Sequence, residues 1–291
     1  MAAPTLVYGV GATKAGTSWL YTYLQGHPDT VLQPFKEVHF WRFDGAVDPA
    51  VAVADAERLI GRATSNYEAA KSTGDANWMA TTSRNASAFW RLLNMHHAPS
   101  VDAYLATLDA MADGSPIVAD FTPSYALADT DTLARMQDIG RPTRFIYMLR
   151  DPIDRLWSHF RMNRGREGEK SWTLAERFEA WMSGKSPEVT ARSDYKGTLG
   201  RLRTAIPREN LYIGFFEELF TQDGVNAVCD FLGLAHHKGD FGHRVWASKE
   251  EAMPADLRER AREALRHQYT AVEAMLGRVP ASWDDAYQRA A

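Results

Sequence analysis

Thr5-Leu-Val-Tyr-Gly-Val-Gly-Ala-Thr-Lys-Ala-Gly-Thr-Ser-Trp-Leu20 is the stretch on which the fold turns. Residues 5–10 are an apolar run that predicts a buried strand, and a helix is expected over 17–25. Between them lies a glycine-rich turn. N–H groups at a helix start have no intrahelical partner and sit at the positive end of the helix dipole, so they stabilise an anion. Gly11 and Gly16 let the backbone curl closely around such an anion. Lys14 adds a full positive charge, Thr17 and Ser18 add hydroxyl donors, and Ala15 and Trp19 complete the segment. A nucleotide-triphosphatase loop, G-x-x-x-x-G-K-[ST], has its lysine after the second glycine. Here Lys14 precedes Gly16 by two, so the turn reads as a phosphate cradle that lacks the usual lysine beside a magnesium-binding hydroxyl. The plain alternative is a tight strand–helix turn capped by a threonine.

Outward from this loop, short apolar runs at 29–32, 116–120, 143–149 and 210–216 predict further strands. Helical patterns begin near Pro152 and cover 225–232 and 254–277. Strands alternating with helices predict an α/β fold: a three-layer, P-loop-like architecture with a central, mostly parallel sheet flanked by helices. Residues 44–115 hold helical pieces (51–60, 86–95, 101–111) and no convincing strand, as a helical insertion serving as an acceptor lid would. The whole of 1–291 is read as one domain, with 250–291 as a C-terminal helical segment.

Composition narrows the function. Apolar residues are 45% and charged residues 24% of the chain, which excludes a disordered or disulfide-stapled class. The formal net charge of −4 provides no global field for nucleic acid. No apolar run approaches the roughly 20 residues of a membrane-spanning helix, and the N-terminus has no basic region of a secretory signal. Cys229, the single cysteine, permits neither an intrachain disulfide nor a cysteine metal site. A reducing cytoplasm is the expected compartment. No metal-ligand cluster is legible.

A second anion site is carried by Arg150-Asp-Pro-Ile-Asp-Arg-Leu-Trp-Ser-His159, at the end of the 143–149 strand. Asp151 suits an N-cap, Pro152 the first helical position and Asp154 the third. Arg150 falls at the carboxyl edge of the sheet, where open α/β folds bind ligands, and Ser158 about two turns into the helix. A guanidinium and a hydroxyl so placed can grip one phosphate. Residues 141–166 carry seven arginines against two aspartates in a chain that is net negative.

Lys14-Ala-Gly-Thr-Ser-Trp-Leu20 resembles the 5′-phosphosulfate loop of sulfotransferases that use 3′-phosphoadenosine 5′-phosphosulfate (PAPS), and Arg150 with Ser158 resembles their 3′-phosphate motif. The resemblance implies PAPS as co-substrate and sulfuryl transfer to an acceptor hydroxyl or amine. It implies a role for Lys14 at the leaving phosphate. Lys36-Glu-Val-His-Phe40 resembles the K-E-x-H-F segment of the carbohydrate-directed branch, in which the glutamate is the general base. This makes Glu37 the candidate base and His39 the reserve. Asp120 stands where relatives commonly have glutamate, with a catalytic role or an orienting one. Tyr195, in Ser193-Asp-Tyr195, and Trp246, Ser248 and Lys249, in Arg244-Val-Trp-Ala-Ser-Lys249, resemble further nucleotide-contacting segments. The acceptor is read as a small molecule or carbohydrate, and oligomeric state is left open. An ATP- and magnesium-dependent kinase, with Asp120 on the metal strand, and a catalytically silent nucleotide-binding module are the alternatives.

Overall fold

Thr5–Gly11 forms β1, buried in six of its seven positions. A strand covered on both faces needs apolar side chains along its whole length rather than at alternate positions, and Leu6, Val7, Tyr8 and Val10 provide them. The computed structural model describes residues 3–167, 172–242 and 251–283. With β2 (Ile117–Asp120), β3 (Thr143–Leu149) and β4 (Leu211–Phe215), β1 makes a four-stranded sheet in the order β2-β1-β3-β4. Every pairing is parallel. Gly9 allows β1 to pass directly against Phe121, since a Cβ there would lie 2.4 Å from the ring.

Parallel neighbours need crossovers, and helices supply them. α1 (Thr17–Gln25) follows β1. Before β2 the chain builds a hairpin of two long helices, α2 (Pro49–Thr73) and α3 (Ala76–His97), and then α4 (Val101–Asp109). α5 (Thr130–Gln137) links β2 to β3. Between β3 and β4 lie α6 (Pro152–Glu167), α7 (Leu174–Met182), α8 (Pro187–Ser193) and α9 (Tyr195–Ala205). After β4 come α10 (Phe216–Leu219), α11 (Gln222–Leu232) and α12 (Ala255–Leu276). Among the described residues, no helix is long and apolar enough to cross a membrane.

The strand expected at 29–32 is not formed. Pro28 and Pro34 bracket it and remove two donors that a ladder would use. Side chains hold this segment instead: Tyr21 Oη and Gln25 Nε2 donate to the Gln33 carbonyl, and the Gln33 amide reaches the Ala119 carbonyl on β2.

The order of connections places the site. The chain leaves β1 toward β2 and leaves β3 toward β4, so the adjacent strands β1 and β3 send their connections to opposite sides. Ligands of open α/β sheets bind in the crevice outside such a switch point. Gly11 and Arg150, at the carboxyl ends of β1 and β3, flank that crevice.

Candidate active site

The turn from β1 to α1 is held in an unusual backbone conformation. Lys14 (φ 72°) and Gly16 (φ 82°) are both left-handed, a region glycine enters freely and lysine rarely. Gly16 stands at the N-cap of α1 and offers no side-chain oxygen. Among the described residues, eight other helices are capped by an Asp, Ser or Thr side chain. The first-turn N–H groups of α1 are thereby left without a side-chain cap, at the dipole end that favours an anion. A Cβ on Gly16 would lie 3.0 Å from Leu219 and 3.1 Å from Phe216.

Arg150 continues directly from β3. Its Nη1 donates to the Lys14 carbonyl at 3.2 Å, and its guanidinium lies 4.3 Å from the centre of the Phe216 ring. That ring is the one that crowds Gly16. The glycine turn and the strand-end arginine therefore lie against each other at the carboxyl end of the sheet. Tyr195, fully buried, donates its hydroxyl to the Arg150 carbonyl at 2.7 Å, so it acts on the crevice by holding the arginine backbone. Asp151 caps α6, its Oδ1 accepting from the Ile153 and Asp154 amides at 3.0 and 2.9 Å. Ser158 is buried on the same helix.

A third element comes from the loop over 33–40, which runs beside 119–125. Phe121 N donates to the Lys36 carbonyl (3.1 Å), Val38 N to Thr122 Oγ1 (3.0 Å) and Phe40 N to Tyr125 Oη (3.0 Å). Lys36 Nζ donates both to Thr17 Oγ1 at the start of α1 and to Glu37 Oε1, each at 3.2 Å. His39 Nε2 lies 3.2 Å from Glu37 Oε2, and His39 is left-handed at φ 54°. Burial works against ionisation of Glu37, but the hydrogen bond from His39 and the charge of Lys36 outweigh it and bring the carboxyl down to about 2. Burial pushes the Lys36 ammonium down from the ordinary lysine range, with Glu37 opposing the shift. The Glu37 side chain is 43% exposed, an ionised carboxylate open to solvent and one lysine away from the start of α1.

A sulfotransferase family model matches residues 5–238, from the first residue of β1 to beyond α11. The chain belongs to the sulfotransferase family. Among solved structures, a sulfotransferase from Alicyclobacillus acidocaldarius is 24% identical with a TM-score of 0.65, covering 98% of this chain and 100% of that one. A sulfotransferase domain from the curacin biosynthetic pathway is 15% identical, covering 83% of this chain and 80% of that chain at a TM-score of 0.46. No curated protein matches the chain.

In this sulfotransferase the remaining residues singled out from sequence are placed as follows. Trp19 is buried, stacked on Tyr23 and on Phe241 with ring centres 5.8 Å apart in each case, so its ring is taken up by packing. Trp246, Ser248 and Lys249 lie outside the described residues. Asp120 is fully buried. It accepts hydroxyl hydrogen bonds from Thr122 (2.6 Å), Tyr104 (2.9 Å) and Tyr125 (2.9 Å). Burial pushes its carboxyl up, and these hydroxyls oppose the rise. Thr122 and Tyr125 also accept from the amides of Val38 and Phe40, so Asp120 positions the loop that carries Glu37. Replacing Asp120 by alanine strands three buried hydroxyls, at about 1–3 kcal/mol each. Urea unfolding should show a loss of at least about 3 kcal/mol, and a smaller one for Asp120→Asn, whose amide oxygen still accepts. A loss under about 1 kcal/mol in the alanine variant would remove this role.

Lys36, Arg155 and Arg192 were not among the sequence candidates. His96, on α3, is pushed down to about 4 by burial and then by the charge of Arg42. Only its neighbour in sequence, His97, is exposed. Lys36 was legible as part of K-E-x-H-F, but its bond to Thr17 depends on tertiary placement. Among the described residues, no group of three or more His, Cys, Asp or Glu side chains is arranged to hold a metal ion.

Proposed function

We propose that this sulfotransferase takes its sulfuryl group from PAPS and transfers it to a hydroxyl or amine of a small-molecule or carbohydrate acceptor. The observation that carries this reading is adjacency: Arg150 Nη1 is 3.2 Å from the Lys14 carbonyl, and both Arg150 and Gly16 lie against Phe216. One nucleotide with an anionic group at each end fits two cationic grips side by side. Lys14, Gly16, Thr17 and Ser18 hold the 5′ side, and Arg150 with Ser158 holds the 3′-phosphate.

Transfer is an in-line displacement. A bond forms between the acceptor oxygen and sulfur as the bond from sulfur to the bridging oxygen breaks, and the electron pair departs with the 5′-phosphate. Lys14 and the turn amides stabilise that developing charge. Glu37 takes the acceptor proton, oriented by His39 and Lys36. The exposed rings of Trp78 and Trp90 on α3 suit stacking on a sugar or aromatic acceptor. A reducing compartment suits the single, buried Cys229.

Calorimetry tests the nucleotide. The desulfated product, 3′-phosphoadenosine 5′-phosphate, should bind without added metal and far more tightly than ATP. ATP binding that requires magnesium would favour the kinase reading instead.

A further inference from the structure

Arg155 lies on α6 three residues before Ser158, so the two side chains share a helix face. It is fully buried. Nη2 donates to Ser193 Oγ at 2.5 Å, while Nε and Nη1 have no hydrogen-bond partner among the described residues. No carboxylate there forms an ion pair with it. The Tyr195 and Tyr147 hydroxyls favour its charge, but burial keeps both protonated, and the charged groups beside it, Arg192 and Arg150, are of its own sign. Burial foremost, and then the guanidiniums of Arg192 and Arg150, disfavour its charge. Arg192 itself reaches the glycine turn, where Nη1 donates to Thr13 Oγ1 at 3.0 Å.

Buried cations are ordinarily paired, since an uncompensated charge in a low-dielectric interior is costly. Arginine cannot escape by deprotonating. A fold keeps such a charge when an anion from outside the chain neutralises it, and in a low dielectric the field of the charge reaches that anion with little screening. Resting on the PAPS reading above, we propose that Arg155 is the specificity-determining charge of the 3′-phosphate grip. Without touching the nucleotide, it favours a dianionic 3′-phosphate over a 3′-hydroxyl at Arg150 and Ser158.

The test compares two probes by calorimetry, 3′-phosphoadenosine 5′-phosphate and adenosine 5′-phosphate, which lacks the 3′ group. The proteins are wild type, Arg155→Gln, Arg155→Met and Arg155→Lys. The neutral variants should cut the preference for the bisphosphate at least tenfold, with adenosine 5′-phosphate affinity within about twofold of wild type. Lysine should retain most of the preference. The ligand-free methionine variant should melt no lower than wild type, because removing an unpaired buried charge relieves a cost and Ser193 keeps its own bond to the Val189 carbonyl. An unchanged preference in the glutamine variant, or equal losses for both nucleotides, would overturn the proposal. So would failure of both neutral variants to fold, since that marks a structural residue. A wild-type protein that does not prefer the bisphosphate would instead overturn the PAPS reading itself.

Discussion

Lys14→Ala lowers kcat by roughly 10²–10³-fold, the loss expected when one preorganised donor is removed from a developing anion, while the Kd of PAPS measured without acceptor changes less than about tenfold. The asymmetry follows from where charge resides. On the PAPS reading, the bridging oxygen of the bound donor carries little charge, and its anionic groups fall to Arg150, Ser158 and the amides of the turn. As the bond to sulfur breaks, negative charge accumulates on that bridging oxygen, and an ammonium nearby becomes worth far more than in the ground state. Only interactions stronger in the transition state raise kcat. The backbone of Lys14 is left-handed and its carbonyl is engaged by Arg150, so alanine inherits a turn already held from outside. Pre-steady-state turnover and equilibrium binding of the donor separate the two quantities. Equal losses in kcat and in donor affinity would reduce Lys14 to a binding residue.

What was legible in the sequence was what depends on short, local patterns. The runs at 5–10 and 143–149 could only be strands buried on both faces, and their boundaries hold to within a residue. The glycine turn and Arg150 were legible because chain connectivity alone puts them at strand ends. The strand at 29–32 failed for a reason also present in the sequence: the flanking prolines weigh more than the apolar content of Val31 and Leu32. α2 and α3 extend well beyond the apolar pieces seen at 51–60 and 86–95. Their added length is a hairpin in which α2 buries only Ala52, Ala56, Ala63 and Ala70, and alanine gives a weak hydrophobic period. The contacts of Lys36 with Thr17, Arg192 with Thr13 and Arg155 with Ser193 join residues 19, 179 and 38 positions apart. No local periodicity encodes them. Asp120 was legible as a polar end to an apolar strand, but its three hydroxyl partners come from α4 and from the segment after β2, so its positioning role emerges only in the folded chain.

Glu37→Gln cuts turnover by at least about 100-fold, the lower end of what a positioned general base contributes, and leaves nucleotide affinity unchanged. A carboxyl brought down to about 2 is a weak base toward a neutral hydroxyl. It suffices here because the acceptor proton becomes strongly acidic once its oxygen has begun to bond to sulfur. The low value then has a use: the carboxylate is ionised at every working pH. With Glu37 as base, kcat stays flat between about pH 8 and pH 5, with no acidic limb in that window. The linkage has the same sign. Folding depresses this carboxyl below the roughly 4.3 of a free glutamate, so its contribution to stability is present above that value and fades as pH falls toward 2. An acidic limb between pH 5 and 8, together with a glutamine variant that keeps its activity, would transfer the proton to His39, whose Nε2 lies 3.2 Å from the Glu37 carboxylate. Retained activity with a flat profile would not rescue Asp120, which lies wholly inside the fold with its oxygens occupied by Thr122, Tyr104 and Tyr125 and cannot meet an acceptor. That result would mean the acceptor loses its proton to solvent, and Glu37 would then serve only to hold Lys36 against the start of α1.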